Sequence, residues 1–262
     1  MADETPEDGA KKASARKSAA KKSAAKKTSS KKAAAKKSAA KKASAKKSAS
    51  RKTTASKAPA RRSSLEGAYR EGTFGRKLPG GPGIAVTERR NLAITQVSAF
   101  DDTADKARAA IEKVTGVAPP KEAVSAVVKG KTHILWSGPN RWWIVESDAR
   151  DVAPDLKDAL GDAAAVVSLG HSRTCLRVSG NSLRDMLSKG STYDFHPNVF
   201  KAGACIQTGM AHVGVTLHCL SNKAGSEEVD IYVLRSFALH FFEWLQEASG
   251  EYGYRVDPMV DA

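Results

Sequence analysis

Residues 206–234 read IQTGMAHVGVTLHCLSNKAGSEEVDIYVL and carry more of the architecture than any other stretch. From 206 to 220 the residues alternate, with Met210, His212 and Thr216 on one face and Gln207, Ala211, Val213, Val215 and Leu217 on the other. An extended chain sends successive side chains to opposite sides, so this period of two predicts one long strand. A turn over 221–226 returns the chain into a partner strand over 228–234. Arg235-Ser236-Phe237-Ala238 then opens a helix in which Phe237, Phe241, Trp244, Leu245 and Ala248 share one stripe. Ser236 is its expected N-cap.

The same grammar recurs upstream. Residues 84–100 alternate as one or two strands, and 101–115 place Ala104, Ala107, Ala110, Ile111 and Val114 at helical spacing. Asp102 or Thr103 is the expected N-cap of that helix, and Gly116 its stop. Residues 132–147 form a hairpin around Ser137-Gly138-Pro139-Asn140, followed by a short helix over 152–160. Residues 165–178 read as a strand pair or one bent strand, and Gly180-Asn181-Ser182 caps a helix over 183–187. This order predicts an α+β fold over 84–256, a largely antiparallel sheet with helices in two β-β-α-type halves. Residues 65–83, with six glycines and two prolines, read as a flexible linker. Gly80-Gly81-Pro82-Gly83 is not a phosphate loop, because it lacks the Lys-Ser/Thr ending and follows no strand.

The formal charge of +15 is unevenly placed. Residues 1–62 hold 21 Lys and Arg against four acidic residues, a net +17, whereas 63–262 hold 22 basic and 24 acidic residues, a net −2. The basic part is a five-residue repeat, KKASA-RKSAA-KKSAA-KKTSS and onward from Lys11. On a helix a five-residue step turns ~140°, so no apolar face accumulates. Lysines four apart would repel, and no Leu, Ile, Val or aromatic side chain between Ala2 and Ser64 offsets the entropy of ordering. Residues 1–64 are therefore expected to be disordered. Two roles fit them. Lys11, Lys12, Lys21, Lys22, Lys26, Lys27, Lys31, Lys32, Lys36, Lys37, Lys41 and Lys42 form a non-specific polyanion binder for nucleic acid, similar to the Lys/Ala-rich tails of linker histones. Alternatively, the segment is a solubilising extension.

Cys175, Cys205 and Cys219 are odd in number and lack zinc-type spacing. With no secretory or membrane-spanning apolar run, they indicate free thiols and a cytoplasmic chain. His212 and His218 lie ~20 Å apart if both stand on one strand, too far to share a metal. Cys205 and His212 are separated in the same way, so no metal site and no nucleophilic pair is expected. Asp194 and His196 either face a ligand or partner or fix their own loop. Arg235 reaches a partner carboxylate or an internal one. Of the neighbours Trp142 and Trp143, one is core and the other an interface anchor. By its own residues the domain does not read as an enzyme.

Several groups, taken in order, resemble the gamma subunit of heterotetrameric sarcosine oxidase over residues 83–254. They are Leu135-Trp136-Ser137-Gly138-Pro139-Asn140-Arg141-Trp142, then Ser168-Leu169-Gly170-His171-Ser172-Arg173 leading to Leu176-Arg177-Val178-Ser179-Gly180. Asp194 with His196-Pro197, Phe200, Gly203, Gln207-Thr208 and Arg235-Ser236-Phe237-Ala238 follow. The resemblance implies the fold of the aminomethyltransferase folate-binding domain, without that family's C-terminal barrel. It implies a complex that oxidatively demethylates sarcosine to glycine, passes the one-carbon unit to tetrahydrofolate and reduces oxygen to hydrogen peroxide. FAD, FMN, NAD and tetrahydrofolate are then expected on the alpha, beta and delta partner subunits, and no catalytic residue on this chain. His171, Arg173, Asp194, His196, Arg235 and Trp142 become the candidate interface or ligand-facing residues. Alternatives are the corresponding subunit of N-methylglutamate dehydrogenase, a stand-alone folate-binding module, and a DNA-associated protein working through its tail.

Overall fold

A computed structural model describes residues 62–261. The lysine repeat, and the expectation of disorder for it, lie outside these residues. In chain order the first strands are β1 (Gly72–Phe74), β2 (Ile84–Arg90), β3 (Leu92–Ala99), β4 (Ala126–Lys129), β5 (Thr132–Gly138), β6 (Arg141–Ser147) and β7 (Ala164–Ser168). The rest are β8 (Arg173–Ser179), β9 (Cys205–Met210), β10 (Val213–Ser221), β11 (Glu228–Leu234), β12 (Tyr254–Val256) and β13 (Val260–Asp261). The α-helices are α1 (Ala104–Thr115), α2 (Ala153–Leu160), α3 (Leu183–Ser188) and α4 (Ala238–Ser249).

The fold is α+β, as expected, with two sheets. One has eight strands in the order β1-β12-β2-β8-β11-β10-β9, with β13 also on β2; the other runs β4-β5-β6-β3-β7. Among the described residues, only β12 and β13 pair in parallel, both with β2. The chain passes between the sheets at two points. Asn91, at φ 53°, sits between β2 and β3, and a short 3-10 turn at Gly170–Ser172 sits between β7 and β8. Asparagine tolerates the left-handed region because its short polar side chain bonds locally; here its Nδ2 donates to Asp261 at 2.8 Å. Residues 165–178 are therefore two strands, and they belong to different sheets.

Alternation along each strand sorts the buried side chains into three cores. Ile84, Val86, Leu176, Val178, Ile231, Val233, Val215 and Leu217 face a core closed by α3 and α4. Val97, Ile134, Trp142 and Ile144 face a second core under α1 and α2. Between the sheets lie Leu92, Ile94, Leu135, Trp143, Val145, Cys175, Cys205 and Tyr232. The order is thus helix, sheet, sheet, helix, and both sheets are buried on both faces over much of their area. At Gly190 the chain passes so close to α4 that a Cβ there would lie 2.4 Å from the Trp244 ring. Only glycine fits that contact.

Three expectations are corrected. Residues 206–220 are two strands, joined at Ala211-His212 with φ 51° and 64°. Two successive positive φ values make a tight hairpin turn, usually signalled by Asn-Gly, and neither residue carries that signal. Helix α4 begins later than expected, after a 3-10 turn at Arg235–Phe237, so Ser236 is not its cap and Phe237 is 47% exposed. Residues 65–83 are not a flexible linker. Leu65 is fully buried in the α3–α4 core, β1 pairs with β12, and Tyr69 stacks on Phe242 at 5.5 Å. Even Ser63 and Ser64 are engaged, with Glu88 and with Thr174. At the other end the fold runs past 256, because β13 extends the β2 edge. Among the described residues, no helix is long and apolar enough to cross a membrane.

If the 65–83 segment is part of the core, Leu65→Ala lowers the unfolding free energy by about 2–4 kcal/mol in urea denaturation. A change below about 0.5 kcal/mol, the size of an ordinary surface substitution, would return the segment to the role of linker.

Candidate functional site

Charge is concentrated in the layer between the sheets. Asp230 on β11 points away from the α4 core, is fully buried, and accepts three hydrogen bonds from two guanidinium groups. Arg177 on β8 supplies Nε at 2.7 Å to one oxygen and Nη2 at 2.9 Å to the other; Arg89 on β2 supplies Nη1 at 2.8 Å. Burial alone would raise the Asp230 pKa, but the bonds and charges of Arg177 and Arg89 outweigh it and hold the carboxyl below its ordinary value.

Beside this carboxylate stand two imidazoles, His133 from β5 and His218 from β10, in edge-on contact at 5.3 Å between ring centroids. Burial pushes both down to about 4 against the opposing pull of Asp230, and for His218 the neighbouring His133 adds to the depression. Both rings are neutral at pH 7. His133, His218 and Asp230 hold their ligand atoms within 4.8 Å of one another, which is metal-site spacing. The donor set does not suit a cation, however. Both Asp230 oxygens already accept from guanidinium groups, and a divalent ion would enter beside two positive charges. His212 takes no part: it occupies the β9–β10 turn, and the partner of His218 comes from the other sheet.

The three cysteines are free and buried. Burial raises all three thiols, Cys205 to about 12, so none is a thiolate nucleophile at neutral pH.

The expected site residues divide into three groups. His171, Arg173 and Arg235 come together at one cavity of about 360 Å³, formed where β2 passes to β3 and where the 3-10 turn enters β8. Arg173 lies over the Trp143 ring, 5.2 Å from its centroid, and donates from Nη1 to Ser172. Arg235 donates to the Arg62 carbonyl at 2.5 Å. Asp194 and His196 are elsewhere, in an exposed loop. Asp194 Oδ1 accepts from the His196 backbone N–H at 2.8 Å, and His196 Nδ1 accepts from that of Asn198 at 3.2 Å. The loop is anchored by buried Phe195 and Phe200, whose carbonyls accept from Arg184. These bonds are the loop-fixing ones. Trp142 is a correction. It is fully buried under α1, donates to the Pro120 carbonyl at 3.3 Å and carries the Arg108 guanidinium on its ring. Trp143 is also buried, so neither indole is an exposed anchor.

Sequence reasoning missed Asp230, His133, Arg89, Arg90 and Glu88. A charged residue inside the apolar run Val229–Val233 was the available signal for Asp230. The alternation put it on the face opposite Val229, Ile231 and Val233, and in a one-sided sheet that face meets water. The second sheet covers it here.

The chain is thus a four-layer domain in which Asp230 is paired with Arg177 and Arg89 and the thiols are protonated. The "Sarcosine oxidase, gamma subunit family" matches residues 100–251. Sarcosine oxidase subunit gamma of Corynebacterium sp. (strain P-1) is 30% identical over 147 residues, covering 55% of this chain and 70% of that protein. The same subunit of an Arthrobacter species is 27% identical over 171 residues, covering 64% and 82%. Among solved structures, heterotetrameric sarcosine oxidase from Corynebacterium sp. U-96, in complex with pyrrole 2-carboxylate, contains a chain of similar fold. The match has a TM-score of 0.63 at 24% identity and covers 73% of this chain and 96% of that one. This chain belongs to the sarcosine oxidase gamma subunit family.

The buried histidines give the domain a defined acid response. Both titrate near 4 when folded and near 6.5 when unfolded, so between these values the unfolded chain binds more protons. Their contribution is complete above pH 6.5 and is lost as pH falls towards 4, by at most about 3 kcal/mol per ring. Urea unfolding at pH 7.5 and pH 5 is expected to show this loss, and the His133→Gln/His218→Gln pair to reduce it. Equal stability of the unmodified chain at the two pH values would refute the assignment.

Proposed function

We propose that this chain is the gamma subunit of a heterotetrameric sarcosine oxidase-type complex, in which it holds shape for the catalytic chains. The complex oxidatively demethylates sarcosine to glycine and transfers the one-carbon unit to tetrahydrofolate. FAD, FMN, NAD and tetrahydrofolate reside on the alpha, beta and delta subunits, and the assembly works in the cytoplasm. Family membership is the observation that carries this reading.

The chain's own chemistry supports the non-catalytic part. The buried carboxylate is committed to two arginines, the buried imidazoles are neutral, and the thiols are protonated. A general base needs a pKa near the working pH and reach to a substrate proton. Neither imidazole offers both, since each is pushed down to about 4 by burial between the sheets.

Affinity purification of the full-length chain from its own cells tests the proposal. Larger chains are expected to co-purify in fixed ratio, carrying the flavin absorbance and sarcosine-dependent peroxide production. Recovery of the chain by itself, colourless, while sarcosine oxidation remains in the unbound fraction, would overturn it.

A further inference from the structure

Residues 62–262 hold 23 basic and 24 acidic residues, a net −1, yet five arginines converge on one cavity. Arg62 enters from the start of the described chain, Arg89 and Arg90 end β2, Arg173 opens β8, and Arg235 opens the turn into α4. The acidic side chain lining the same cavity is Glu88. Arg89 is satisfied by Asp230. Arg62, Arg90, Arg173 and Arg235 have no carboxylate oxygen within 4.0 Å among the described residues.

Three of the cationic groups, those of Arg173, Arg235 and Arg90, make contacts that position them. Arg173 is fixed between the Trp143 ring and Ser172, and burial lowers its pKa with no carboxylate to oppose the effect. Arg235 is tied to the Arg62 carbonyl by one Nη, and Arg90 Nη1 rests on the Met259 sulfur at 3.8 Å. Glu88 is 4% exposed, and the Ser63 hydroxyl lies within hydrogen-bonding distance of both its oxygens, 2.7 and 2.6 Å away. One wall is brought close by Gly170, where a Cβ would lie 2.7 Å from the Leu92 carbonyl. A partly desolvated guanidinium without a carboxylate in ion-pair range, as Arg173 is, is costly, and a bound anion removes that cost. Planar guanidinium forks suit carboxylate and phosphate oxygens. At about 360 Å³ the cavity is of small-molecule size.

We propose that this cavity is a binding site for a small multivalent oxyanion, a di- or tricarboxylate or a phosphate, held by Arg173 and Arg235 with Arg62 and Arg90 contributing charge. The site does not depend on the subunit reading of the chain, and its cationic groups are guanidiniums rather than the ammonium groups of the lysine repeat. Several guanidiniums around one cavity favour anions of higher charge, so selectivity over a monoanion is part of the proposal.

Isothermal titration of the full-length chain with citrate, inorganic phosphate and acetate tests it at low and moderate salt. Citrate or phosphate is expected to bind one site per chain, at least about tenfold more tightly than acetate, with weaker binding as salt rises. Arg173→Gln and Arg235→Gln, made separately in the full chain, are each expected to weaken that binding about tenfold or more. Both variants keep the lysine repeat, and their thermal midpoints report whether the fold is intact. Arg90→Gln serves in place of either variant that fails to fold, with a smaller loss expected. Binding of equal strength in folded variants and unmodified chain would assign the anions to the repeat and overturn the proposal. So would the absence of any one-site isotherm with citrate and phosphate.

Discussion

Asp230 is a carboxylate sealed between two sheets, and the middle of this molecule is organised around it. A buried ion costs several kcal/mol unless it is paired and fully hydrogen-bonded. Three hydrogen bonds from Arg177 and Arg89 meet that requirement and tie β11, β8 and β2 together at one point. Burial of the adjacent His133 and His218 outweighs the pull of the Asp230 carboxylate and leaves both rings neutral. The second sheet can then pack on the first through largely uncharged contacts, from Trp143 against Tyr232 to Leu135 and Cys205.

This arrangement bears on function through the arginine pair at the end of β2. Arg89 turns inward to Asp230, and its neighbour Arg90 lies on the other side of the strand, beside Met259. The strand thus links the sealed centre to the arginine-lined cavity where the chain passes between sheets. The inward groups are consumed by structure, and groups at the cavity remain available to an anion.

Much of the fold was legible in the sequence because periodicity reports burial. The β5–β6 hairpin, α1 with its left-handed Gly116 stop, and the β10–β11 pair lie where alternation and helical spacing put them. The failures share a cause, which is that tertiary contacts overrode local signals. Ala211-His212 turns without turn residues because β9 and β10 pair closely on both sides, Met210 opposite Val213. The glycines of 65–83 suggested freedom, but Leu65 and Tyr69 pin the segment into the core. Of the site, His171, Arg173 and Arg235 were visible as members of ordered motifs, and the structure gathers them. Trp142 was misplaced because an alternating strand covered on both faces leaves neither indole outside. Asp230 and His133 escaped because nothing in a single strand announces that a second sheet will cover its polar face.

If the paired Asp230 carboxylate is what ties β11, β8 and β2 together beneath the second sheet, Asp230→Asn tests it most directly. The substitution keeps the shape and removes the charge, leaving the partly buried Arg89 and Arg177 against a neutral amide. Urea unfolding at pH 7 is predicted to show a loss of about 3–5 kcal/mol relative to the unmodified chain. A loss below about 1 kcal/mol, the level of an exposed ion pair, would contradict the account.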